Sequence, residues 1–137
     1  MPGYSGTPLP KKLGIKPGLR VQFSNAPADV LEQLAEALAA CNIQKQGAAP
    51  DFALLFTKSR AELKKEFAKM AKTLAPAGML WVSWPKKSSG VETDLNDNAV
   101  REIGLDAGLV DVKVCAVTEI WSGLKFVRRL KDRKPQK

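Results

Sequence analysis

Three short polar clusters hold the residues best suited to chemistry. Ser24 and Asn25 follow one apolar run, Lys58, Ser59 and Arg60 follow a second, and Lys86, Lys87, Ser88 and Ser89 follow a third. Cations beside the start of a helix can hold a phosphate, carboxylate or sulfate, because unpaired backbone N–H groups and the helix dipole favour the same ligand. The plain alternative is that these are solvated loop residues suited to turns. The chain of 137 residues contains no histidine, which removes Ser/His and Cys/His nucleophile pairs and His-based metal sites together.

Other chemistry-bearing residues are accounted for more simply. A nucleotide or S-adenosylmethionine site of the usual kind needs glycines after the first strand, so that backbone can approach the ligand, and an acid after the second. No glycine lies between Gly18 and Gly47, and Lys45 and Gln46 stand where the acid belongs, so no cofactor is expected. Glu92, Asp94 and Asp97 have oxygen ligands to offer a hard cation, yet acids collect at helix starts without any metal, and no metal site is assigned. Cys41 and Cys115 sit among small or β-branched apolar residues and read as reduced core thiols rather than nucleophiles. Trp81, Trp84 and Trp121 could form a stacking platform for bases or rings, but strand tryptophans more often read as core, with Trp84, at the end of an apolar run, expected to be the most exposed.

The composition is that of an ordinary globular domain, with 45% apolar and 26% charged residues, and the length suits one core. The formal net charge of +8 is concentrated in residues 1–24, 58–72 and 125–137, with acidic stretches between them. Such a charge favours weak, salt-sensitive attraction to nucleic acid without specifying it. The longest uncharged run, Thr73 to Pro85, falls short of the roughly 20 residues a spanning helix needs. No signal-type apolar segment opens the chain, so a cytoplasmic location without membrane contact is expected.

The elements that must position these clusters follow from periodicity. Residues 1–18 read as an arm with one helical turn, pinned by Leu9, Leu13 and Ile15. Leu19 to Phe23 is a short strand, followed by cap candidates Ser24 and Asn25. A helix over Ala28 to Ala40 then places Val30, Leu31, Leu34, Ala35 and Leu38 on one face. A brief edge strand over Asn42 to Gln46 precedes the Gly47–Pro50 turn. Phe52 to Phe56 is an unbroken apolar run of the kind found in strands covered on both sides. Ser59 and Glu62 form a capping box for a helix ended by Pro76 and Gly78. Met79 to Trp84 is another buried strand, and Pro85 to Thr93 a polar loop. Asp94 is expected to cap a helix reaching about Ala107. Val110 to Val117 and Leu124 to Leu130 read as a hairpin turning near Ser122-Gly123. Right-handed crossovers then give a three-layer α/β/α Rossmann-like sandwich over 19–130, with strand order 2-1-3-4-6-5 and an antiparallel end, trailed by a basic tail over 131–137. The three polar clusters would share the carboxyl edge of the parallel strands, beside the crevice where such sheets bind ligands.

Five stretches carry a resemblance: Tyr4-Ser5-Gly6-Thr7-Pro8-Leu9, Lys11-Lys12-Leu13-Gly14-Ile15, Trp84-Pro85-Lys86-Lys87-Ser88-Ser89-Gly90, Val114-Cys115-Ala116-Val117 and Trp121-Ser122-Gly123-Leu124. Together they resemble a small bacterial family catalogued as a domain of unknown function, which implies no reaction and supplies no catalytic residues. More distantly, Asp51 to Thr57, the helix ending at Ala75-Pro76-Ala77-Gly78, the next strand and the terminal hairpin are similar to the second half of class I methyltransferases. The missing glycine loop is where the chain departs from them. The leading expectation is a non-catalytic binding or regulatory module for an anionic small molecule, using Lys58, Arg60, Lys86 and Lys87. The alternatives are a divergent S-adenosylmethionine-dependent methyltransferase and a nucleic-acid accessory protein using the basic ends.

Overall fold

Six strands form one sheet in the expected order β2-β1-β3-β4-β6-β5, which the connection rules allow. The computed structural model describes residues 7–44 and 49–133. Tyr4 to Gly6 of the first motif, Lys45 to Ala48 of the expected edge strand and turn, and residues 134–137 of the basic tail lie outside them. β1 (Arg20–Ser24), β2 (Asn42–Ile43), β3 (Phe52–Phe56) and β4 (Met79–Pro85) are joined in parallel. β6 (Trp121–Arg128) lies antiparallel against β4, and β5 (Leu109–Ala116) pairs antiparallel on its outer side.

Helices cover both faces. α1 (Leu9–Leu13) and α2 (Ala28–Leu38) lie on one, where Leu13, Val30 and Leu34 pack on Phe52, Leu54, Phe56 and Trp81. α3 (Arg60–Thr73) and α4 (Asp97–Asp106) lie on the other, where Leu63, Phe67, Val100 and Ile103 pack on Ala53, Leu55, Leu80, Val82 and Phe126. Successive residues of β3 therefore feed opposite cores, which is why the strand has no polar face. The N-terminal arm is part of this core: Leu9 and Leu13 are buried, and the Trp81 Nε1–H donates to the Leu13 carbonyl at 2.9 Å. Among the described residues no helix is long and apolar enough to cross a membrane.

Local chemistry departs from the sequence expectation in five places. The hairpin turns at 117–120, where Thr118 Oγ1 accepts from the Ile120 and Trp121 amides at 3.1 Å each, and Ser122-Gly123 lies inside β6. Gly123 leaves room for Val117 and Trp81: an added Cβ would come within 2.8 Å of Val117 Cγ2 and 3.3 Å of the indole. Neither Ser24 nor Asn25 caps α2, whose N-cap position is Pro27 without a side-chain cap. α4 is capped by Asn96, whose Oδ1 accepts from the Ala99 amide at 2.8 Å, rather than by Asp94. Trp84 is only 5% exposed, because Leu95 and the α4 side of the core cover it, and Trp121 is the half-exposed tryptophan. Cys41 and Cys115 are free thiols, half-buried at the margin of the α1–α2 core rather than within it.

Candidate functional site

β1 ends in a turn that only a few residue types accept. Asn25 sits at φ 59°, in the left-handed region that Asn tolerates better than most non-glycine residues, and its Nδ2 donates to the Phe56 carbonyl at 3.3 Å. That bond ties the end of β1 to the end of β3. The next residues extend the ladder and then turn: the Thr57 amide donates to the Ser83 carbonyl at 3.1 Å, and Thr57 Oγ1 accepts from the Ser59 amide at 3.3 Å. From β6, antiparallel to β4, Trp121 arrives at the same edge and meets Phe56 ring edge to face, with centroids 5.0 Å apart at 85°. A cleft of about 400 Å³ lies among Asn25, Phe56, Thr57, Lys58, Glu62 and Trp121.

The loop carrying Lys58 is clamped from the far side. The Lys58 carbonyl accepts from Thr93 Oγ1 at 2.6 Å and from the Asp94 amide at 3.3 Å. Asp94 in turn caps α3: its Oδ1 accepts from the Arg60 amide at 2.7 Å, while its carbonyl accepts from Arg60 Nε at 2.7 Å. Ser59 Oγ accepts from the Glu62 amide at 3.2 Å, one half of the expected capping box, and the Leu63 amide closes on the Ser59 carbonyl. The positive end of α3 thus carries the chain's own carboxylate, and an external anion in the cleft would rely on side-chain ammonium groups instead.

The nine cluster residues proposed from sequence share an edge but divide among separate surfaces. Asn25 and Lys58 line the cleft, and Ser59 borders it through its capping turn. Ser24 faces the opposite way, its Oγ 3.5 Å from Glu66 Oε1, in a groove of about 260 Å³ between β1 and α3. Arg60 is folded onto Asp94 and lines a groove with Lys64 and Glu102 between α3 and α4. Lys86 lies beside the Trp121 end of the edge, its amide donating to the Ile120 carbonyl at 2.7 Å. Its carbonyl accepts from Ser89 Oγ at 2.6 Å, so Ser89 serves the turn, and Lys87 and Ser88 are exposed on that turn. Trp121, which sequence reasoning considered for stacking but set aside as core, is the lining residue left out of the expected site. Its signal was the antiparallel register, which pairs it with Pro85 at the carboxyl end of β4.

A methyl-donor cofactor of the adenosyl type would be approached by backbone after β1. Here the Asn25 side chain spans the β1–β3 crevice, Pro27 has no amide hydrogen to offer, and β2 runs into Gln44 with no acid in the next two positions. These residues do not fit such a group. Asp94 and Asp97 bond helix amides, at 2.7 and 2.9 Å, and among the described residues no cluster of His, Cys, Asp or Glu suits a metal ion.

No family model and no curated protein matches the chain. Solved structures do. Magnesium protoporphyrin IX methyltransferase from Synechocystis PCC 6803 with bound SAH superposes with a TM-score of 0.60 at 14% identity, over 88% of this chain and 78% of that one. A precorrin-6y C5,15-methyltransferase from Geobacter metallireducens GS-15 gives a TM-score of 0.58 at 9% identity, over 88% and 86%. The Methanococcus jannaschii fibrillarin pre-rRNA processing protein gives 0.53 at 12%, over 92% and 70%. The fold is that of the class I methyltransferases. Identities this low establish the fold alone, and the departure at the end of β1 stands within it.

Proposed function

We propose that this chain is a binding or regulatory module that holds an anionic small molecule in the cleft at the carboxyl ends of β1 and β3, with no chemistry performed on it. The observation that carries this reading is the Asn25–Phe56 bond beside Trp121 and Lys58. It braces a preformed cleft at the point where the sheet's connections diverge, puts a side chain where a cofactor would need bare backbone, and leaves an indole and an ammonium among the lining groups. Trp121 supplies a face for a ring or flat apolar body, and Lys58, which makes no ion pair among the described residues, supplies charge. Lys86 and Lys87 extend that charge along the same edge, Arg60 and Ser89 brace the loops beside it, and Ser24 and Ser88 lie outside the cleft. Glu62 also lines the cleft, and its carboxylate would disfavour polyanions there.

The test is thermal-shift screening with ring-bearing carboxylates and phosphate monoesters, followed by calorimetry. Lys58→Glu is expected to abolish ligand-induced stabilisation while its ligand-free melting temperature stays near that of the parent. Equal stabilisation of both proteins would remove the assignment. A divergent methyltransferase is the second reading, favoured by the fold. Titration with S-adenosylmethionine and S-adenosylhomocysteine decides it, since heat with either would displace the non-catalytic reading.

A further inference from the structure

On the opposite side of the hairpin, β5 is interrupted by a bulge. Asp111 pairs with Phe126 and Lys113 pairs with Lys125, so Val112 is an extra residue without a partner. The bulge reverses the facing of the residues after it. Asp111 points to the α4 side, where its Oδ2 accepts from Arg101 Nε at 2.9 Å, and strict alternation would send Lys113 the same way. Instead Lys113 emerges on the α1 side, where its Nζ donates to the Lys12 carbonyl at 3.1 Å. It stands directly across from Lys125, and the Lys12 ammonium, donating to the Ala116 carbonyl at 2.8 Å, joins the same patch.

Two lysines opposed across an antiparallel ladder repel each other. Neither Lys113 nor Lys125 has a carboxylate partner among the described residues. Burial, followed by the charge of Lys113, pushes the Lys125 ammonium below its ordinary pKa. Edge protection explains a lysine on β5, the outermost strand, but not one on β6, which is paired on both sides. We propose that Lys113 and Lys125, with Lys12 beside them, form a second anion site that takes a phosphoryl oxyanion. The ligand fits because one dianionic group neutralises both opposed charges, and because ammonium groups bind phosphoryl oxygens as point charges without a fixed fork geometry.

The site is tested in a Lys58→Glu background, which removes the cleft at the sheet edge from the measurement and separates this proposal from the preceding one. Melting is followed in inorganic phosphate against chloride at matched ionic strength, and binding of a labelled short single-stranded RNA is followed by anisotropy. Lys113→Gln/Lys125→Gln is expected to melt no lower than the parent without ligand, and to weaken half-saturation by phosphate roughly tenfold or more. Lys125→Arg should keep the response. If the double variant does not fold, Lys113→Gln alone is read the same way. RNA binding lost together with the phosphate response assigns the oxyanion to a nucleic-acid backbone, and a phosphate response without RNA binding assigns it to a small phosphorylated molecule. A variant that responds to phosphate and RNA as its parent does would overturn the proposal.

Discussion

Replacing Asp94 tests whether α3 already holds its own anion. The Asp94 carboxylate accepts from the Arg60 amide, the first of the helix, at 2.7 Å, across 34 residues of sequence. Two contributions are separable. Asp94→Asn keeps an oxygen acceptor and loses only the charge facing the helix dipole, which for an exposed group at ordinary salt is about 0.3–1 kcal/mol. Asp94→Ala also loses the cap hydrogen bond, for a total of about 1–2 kcal/mol. At roughly 3–5 °C per kcal/mol for a domain of this size, the alanine variant should melt several degrees lower and the asparagine variant about half as far. Emptying the cap also exposes the Arg60 amide beside Lys58, so phosphate should restore more stability to Asp94→Ala than to the parent when compared with chloride at equal ionic strength. Melting curves on the three proteins in both salts decide the matter. Equal loss in the two variants, or no preferential rescue by phosphate, would show that the Asp94 carboxylate does not act as a bound anion at this helix start.

Two further outcomes rest on packing and charge. Gly104 of α4 lies under Phe126, whose Cε1 would be 2.0 Å from an added Cβ while its ring is held edge to face against Phe67. Gly104→Ala should therefore cost about 1–3 kcal/mol by overpacking, read as a lower urea midpoint with an unchanged slope, and a neutral substitution would mean α4 is free to lift. At the sheet's other end, the hydrogen bond from Arg20 holds the Asp51 carboxyl below its ordinary 3.8 despite partial burial. A lowered folded pKa contributes stability above about pH 3.8 that is lost as the pH falls through the folded value. Arg20→Gln should therefore melt below the parent at neutral pH and converge with it in acid. A gap that persisted through the acid range would assign the effect of Arg20 to packing instead.

The layers and strand order were legible because they depend on patterns that local sequence carries. Phe52 to Phe56 has no polar side, which only a strand with two covered faces permits, and the helices between parallel strands fix the hand of each crossover. Reading failed where a residue's reason lies far along the chain. Ser122-Gly123 has the composition of a turn, but Gly123 is set by Val117 across the hairpin end and by the Trp81 indole on the neighbouring strand, so the strand begins earlier and the turn falls on Thr118. Asp94 lies two residues before the N-cap of the next helix and would be taken for its local cap. Its partner is Arg60 on another helix, and Asn96 does the nearer work.

The site shows the same division at finer scale. Topology brings Ser24, Asn25, Lys58, Arg60 and Lys86 to one edge, but strand pleat and turn geometry choose the direction in which each side chain leaves it. Ser24 and Asn25 are adjacent and point apart, one toward Glu66 on α3 and the other across to Phe56, because the positive φ at Asn25 reverses the chain. Lys58 and Arg60 separate for a similar reason: between them Ser59 takes the N-cap, so Lys58 stays on the extended segment at the cleft while Arg60 enters the helix and turns toward α4. Val112 does the same to Lys113 on the far side of the sheet, where one unpaired residue moves an ammonium from the α4 face to the α1 face. Charge on this protein is placed by backbone irregularities at single residues, so in the Lys58→Glu background deleting Val112 should do more to the phosphate response than neutralising any exposed lysine outside the patch.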